Sequence, residues 1–150
     1  MAVTAYWYGK ALEGQYGTTA ARRVDWATDT IKVALCTSSF TPNQDTQDFY
    51  DDISNEVANG NGYTTGGATL GTKSVNYDAS TNVVSLRAAT SSWTSATFTT
   101  RYAVVYKDTG SGGTSPLLGY VDFGGDQQVS SGTFSLAWDA TDGVLKITAA

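Results

Sequence analysis

The chain contains no histidine, which removes the commonest general base and the usual activator of a serine or cysteine nucleophile. Ser-His-Asp and Cys-His catalysis are thereby excluded, along with every zinc site that needs imidazole. The single cysteine, Cys36, is too little for an intrachain disulfide or a structural zinc site. It falls in a strand pattern with only Lys32 as a basic neighbour, so a buried, unreactive thiol is expected. Charge is scarce too: 15% of residues, with a net charge of -5. That balance argues against a phosphate-binding surface, because nucleic-acid affinity comes mainly from Lys and Arg. Arg22-Arg23, the sole adjacent basic pair, reads as a solvated or interface pair. No stretch reaches the roughly 18 apolar residues of a membrane span, and the N-terminus lacks a basic segment followed by an apolar run. A soluble chain, made in a reducing cytosol and carrying no visible secretion signal, is the expectation.

What the chain does have is hydroxyl groups, glycines and alternating strands. Thr (23) and Ser (14) supply far more of the polar surface than Lys and Glu can, and together with abundant aromatics they favour pleated sheet. With 150 residues and 41% hydrophobic content, one domain with a substantial core is expected. Ile31, Val33 and Leu35 alternate with Lys32, Ala34 and Cys36, which predicts a strand. Further strands are predicted at 69–77, 83–88, 96–107, 117–123, 133–139 and 144–148, separated by turn signals at 78–82 and 139–143 and by a Gly/Ser-rich loop at 108–115. Short helices are expected within 5–16 and within 45–53, the second with Asp45 as its N-cap. The fold class is all-β, an antiparallel β-sandwich or flattened barrel with one or two short helices. Ile31, Val33, Leu35, Phe98, Tyr102, Val104, Leu136 and Trp138 are the predicted core, and Trp93 is expected beside them. Residues 24–150 form the single β domain, with residues 1–23 set apart as an attachment segment.

Few residues offer chemistry. Asp45, Asp48, Asp51 and Asp52 cluster in sequence, and paired carboxylates serve glycoside hydrolysis, but no second carboxylate across a cleft is evident and a capped, solvated helix explains them better. Asp139 to Gly143 lacks the ligand spacing of a calcium loop and suits a tight turn. The glycines at 60, 62, 66 and 67 do not match a phosphate loop, and no helix pattern follows them. No catalytic residue, metal ligand or cofactor is expected. Aromatics are the more informative class. Tyr6, Trp7 and Tyr8 lie together near the terminus, where one domain has little to cover three large rings, so they are the candidate partner surface, with Arg22 and Arg23 as charged rim.

Three segments taken in order carry a resemblance: Asp25-Trp26-Ala27-Thr28-Asp29-Thr30-Ile31-Lys32-Val33-Ala34-Leu35, then residues 41–49, then Tyr63-Thr64-Thr65-Gly66-Gly67-Ala68-Thr69-Leu70. Residues 102–110, 115–124 and 134–139 continue it, so that about 24–148 is covered. The chain resembles the small virion structural proteins of tailed bacteriophages, a capsid-decoration and head-fibre-like family. The resemblance implies a non-enzymatic virion component on the capsid surface, with the major capsid protein and neighbouring copies of itself as partners. A tail-associated structural protein is the runner-up within the same class. From the residues alone, a glycan-binding module using Tyr6, Trp7 and Trp93 stays open, as does, more remotely, a carboxylate glycosidase.

Overall fold

The computed structural model describes residues 3–149. Nearly all of the regular structure is antiparallel strand, arranged as two sheets, with one short helix. The larger sheet contains β1 (Thr4–Trp7), β2 (Ile31–Cys36), β3 (Ala68–Thr69), β6 (Ser91–Lys107) and β7 (Leu117–Leu136), in the order β1-β7-β6-β2-β3. β4 (Ser74–Asp78), β5 (Val83–Arg87) and β8 (Leu145–Thr148) make the smaller one, in the order β4-β5-β8. The helix, α1 (Gly9–Tyr16), follows β1 directly.

The larger sheet is buried on both faces at its centre, and side-chain alternation explains how. Its register puts Leu35, Ala103 and Val121 on one face and Ala34, Val104 and Tyr120 on the other. The first face packs against the smaller sheet, so closely at Gly119 that a Cβ there would lie 2.6 Å from Leu145 Cδ2. The second is covered by α1 and by the segment between β2 and β3, which brings in Tyr8, Phe40 and Tyr63, all essentially inaccessible. Hence the residues opposite Ile31, Val33 and Leu35 are not solvated: Ala34 and Cys36 are buried as well, and only Lys32 reaches out, to Asp108 at 2.6 Å.

The predicted core is largely in place. Ile31, Val33, Leu35, Val104 and Leu136 are buried, and Phe98, Tyr102 and Trp138 pack against the cluster while partly exposed. Trp93 is buried, as expected, and so is Trp26. Cys36 is a buried free thiol, and burial followed by the Glu56 charge pushes its ionisation upward.

Several boundaries differ from expectation. The strand expected over 69–77 is interrupted, because Thr72 sits at φ 45, and divides into β3 and β4 in different sheets. The strands expected at 117–123 and 133–139 are one, β7, which continues through a glycine- and glutamine-rich stretch because β6 pairs with it on both sides of that stretch, with register shifts along the way. The helix expected within 5–16 begins as strand β1, and that expected within 45–53 shrinks to a single 3-10 turn, Tyr50–Asp52. Asp45 is not its N-cap: the Asn43 side chain accepts from the N–H groups of Asp45 and Thr46, and the Asp52 carboxylate accepts from the Asp48 N–H at 2.8 Å. The turn at 78–82 joins β4 to β5 as a hairpin, whereas 139–143 is a tight turn leading from β7 toward β8, which pairs elsewhere.

Candidate interaction surface

The three N-terminal aromatics do not share a surface. β1 pairs with β7, Thr4 opposite Asp122 through Trp7 opposite Gly119, so successive side chains point to opposite faces. Tyr6 lies over Tyr120, ring centroids 5.0 Å apart at 24°, and is 38% exposed. Trp7 turns the other way and donates its indole N–H to the Lys146 carbonyl at 2.7 Å, tying β1 to β8. Tyr8 is fully buried against Tyr120, and its hydroxyl finds no hydrogen-bond partner among the described residues. Burial drives the ionisation of that hydroxyl far upward. One domain accommodates the three adjacent rings, because strand alternation divides them between two packed faces. The described part of residues 1–23 is accordingly woven into the larger sheet and its covering helix.

Arg22 is likewise structural rather than rim. Its guanidinium binds Asp48, stands 3.8 Å from Glu13 and lies 5.1 Å over the Phe49 ring, with its side chain 18% exposed. Gly14 makes room for it, since a Cβ there would fall 2.6 Å from Arg22 Cβ. Arg23 is exposed, donates to the Gly17 carbonyl and makes no ion pair among the described residues, so of the two it is the one that faces solvent. Close by, at the end of α1, Tyr16 is 90% exposed.

β1 is the last strand of its sheet; the Gln44 side chain donates to the Trp7 carbonyl at its C-terminal end, and no strand of that sheet pairs with the rest of its outer side. Beneath it, toward the smaller sheet, runs an open groove of about 580 Å³. Trp7, Val121, Trp138 and Leu145 contribute to its apolar lining, and Asp139 together with the pair Asp142 and Lys146, joined at 2.6 Å, supplies its charge. Trp93 takes no part in any exposed aromatic platform, being packed between Tyr63 and Phe134.

Two members of the acidic cluster are already engaged within the fold. Asp48 is occupied by Arg22 and Asp52 by backbone N–H groups. Among the described residues no three acidic or cysteine side chains converge as metal ligands would.

Sequence reasoning missed the most concentrated polar site. Glu56 accepts hydrogen bonds from the Tyr50 hydroxyl at 2.5 Å, the Tyr63 hydroxyl at 2.5 Å and the Gly66 N–H at 2.7 Å. The Tyr63 hydroxyl accepts in turn from the buried Leu35 N–H. Burial, reinforced by the Glu56 charge, raises the ionisation of both phenols. With three donors converging on it, the half-buried carboxylate acts as a clamp, holding the glycine-rich loop against β2. A lone glutamate in a Gly/Asn stretch carries no periodic signal, and only the tyrosines six and seven residues away hinted at it.

No protein-family model, curated protein or solved structure matches this chain.

Proposed function

We propose that the chain is a non-enzymatic structural protein of a tailed-phage virion, a decoration protein that binds the outer surface of the major capsid protein shell. It is made in the host cytoplasm and resides on the capsid, with neighbouring copies in contact. The sequence resemblance over about 24–148 motivates this reading, and the open edge of β1 above the indole-lined groove is the observation that carries it. Such an edge takes up an extended segment of another protein through main-chain hydrogen bonds, while side chains of that segment enter the adjoining groove. Large rings in a concave lining are the usual anchors of an interface. Modest affinity per copy becomes durable attachment when many copies bind one shell, and the net charge of -5 keeps coated particles apart.

The test is binding to capsids stripped of this protein. Val3 and Tyr6 are 64% and 38% exposed, so Val3→Asp and Tyr6→Ser spare the fold. Their occupancy should fall while cooperative unfolding is retained; undiminished occupancy refutes the assignment of this edge. Locating the protein in a reconstruction of the intact particle separates capsid from tail attachment.

A second reading draws on the same groove. Trp7 and Trp138 line it together with Asp142 and Lys146, a combination of flat apolar rings and hydrogen-bonding charges that also suits a sugar ring. Saturable glycan binding abolished by Trp138→Ala, with capsid occupancy intact, would favour it.

A further inference from the structure

The smaller sheet has a second open edge, and its chemistry differs from that of β1. β4 pairs with β5 along one side only, and all five of its residues are exposed. Its register sets Val75 opposite Leu86 and Tyr77 opposite Val84, which in turn faces Ile147. These five apolar side chains therefore share one face. Leu86 leans on the core, whereas Val75, Tyr77 and Ile147 stand 54%, 57% and 39% exposed. Proteins ordinarily blunt an open edge with proline, lysine or a bulge. β4 contains none of these, and its only charge is Asp78 at its end.

We infer that β4 is a contact between two copies of this chain, paired antiparallel about a two-fold axis at Asn76. Among symmetric registers, the one centred on Asn76 alone pairs all five residues with all five. Ser74 then faces Asp78 of the second copy, Val75 faces Tyr77, and Asn76 faces its own counterpart. Two features select a copy of this chain as the occupant. On the apolar face, the row Ile147, Val84, Tyr77 runs on into Val75 and Leu86 of the second copy, so the exposed stripe of each covers that of the other. On the polar face, charges are complementary. Asp78 accepts hydrogen bonds from Ser80 and makes no ion pair among the described residues, and Arg87 makes none either, bonding instead to Ser85 and the Thr141 carbonyl. Because Arg87 lies opposite Ser74, the pairing brings Asp78 into line with Ser74 and then Arg87 of the second copy, roughly 10 Å away between backbones and within reach of a long side chain. Symmetry supplies the pair twice, with no like charges directly opposed.

A contact of one short strand with its flanking side chains falls below the ~1,000 Å² of a stable interface. It is weak between free chains and persistent where copies are held side by side. It involves neither β1 nor the groove, and stands whether or not the chain coats a capsid.

Asn76→Cys tests the register, since directly opposed Cα atoms on antiparallel strands lie about 4.5–5.5 Å apart, within disulfide range. At up to millimolar concentration under mild oxidation, this variant should link into dimers at least about tenfold faster than Tyr77→Cys, whose counterpart is a valine. The native thiol, Cys36, is buried and does not compete. Sedimentation equilibrium of the unmodified chain should give a weight-average mass that climbs above 15.8 kDa with concentration. Val75→Lys and Tyr77→Ser, at exposed positions, should keep the monomer mass and unchanged thermal unfolding. A chain that stays monomeric at millimolar concentration, variants that associate as strongly as the parent, or equal linking rates at 76 and 77 would each overturn the inference.

Discussion

The Tyr63 hydroxyl donates to Glu56 Oε1 at 2.5 Å while accepting from the buried Leu35 N–H at 2.9 Å, so one phenol joins a loop carboxylate to the buried strand β2. Removing that oxygen leaves the Leu35 N–H without its partner and deprives Glu56 of one donor. Tyr63→Phe should therefore destabilise by about 1.5–3 kcal/mol, the range for a bond to a charged group. Urea unfolding measures it, and a loss below about 0.5 kcal/mol would show that the clamp relaxes without cost.

Tyr8 offers the opposite case. Its ring is fully buried but its hydroxyl is unpaired among the described residues, so Tyr8→Phe should leave stability unchanged or raise it by up to about 1 kcal/mol. Tyr8→Ala should cost about 3–5 kcal/mol through lost packing and the cavity left behind. If the two variants behave alike, Tyr8 is not where the sheet and helix meet.

Alkaline pH should unfold the protein cooperatively. Tyr8, Tyr50, Tyr63 and Tyr106 all have ionisation raised above the ordinary phenol value of 10.0, chiefly by burial. Raised folded values mean that this stability is fully present below about pH 10 and drains away as pH climbs toward them. For the inaccessible Tyr8 and Tyr63, each pH unit above 10 removes about 1.4 kcal/mol per group. Phenolate absorbance followed alongside circular dichroism should show these rings titrating together with loss of structure. Smooth titration of all nine tyrosines in a folded chain would contradict their burial.

Gly67 allows no side chain. It sits at φ +76, and a Cβ would come 1.8 Å from the Val33 carbonyl oxygen, which belongs to backbone and cannot swing aside. Gly67→Ala should cost at least about 3 kcal/mol, beyond the ordinary range for a point substitution. Gly60, also at positive φ but with open space around it, should lose only about 1 kcal/mol on the same change.

Where side-chain alternation was strong, the sequence disclosed the fold. Ile31 to Cys36 and residues 96–107 alternate cleanly, and both are strands of the larger sheet. Alternation says nothing about a strand that holds its place through a neighbour, and so the passage from Gly124 to Gly132, poor in strand-forming residues, read as a break inside what is β7. Nor does it reveal what covers a face. Tyr6, Trp7 and Tyr8 looked stranded at a terminus because the segment that buries Tyr8 arrives from far along the chain. The candidate site shifted accordingly, from a cluster of rings to one edge and the groove beneath it. Arg22, read as a rim charge, proved to be held by Asp48, a partner 26 residues away that no local pattern announces.

The pairing of β1 with β7 imposes an order of events on synthesis. Thr4 leaves the ribosome early, but its neighbour in the sheet is Asp122, more than a hundred residues later. Until that stretch emerges, β1 has no strand to lie against and Tyr8 no Tyr120 to cover it. The nascent chain therefore carries β1 unpaired until β7 emerges, and that edge of the sheet closes only then. Such distant closure slows folding, and it makes the second half of the chain, rather than the N-terminus, the part that decides when the protein becomes a folded body.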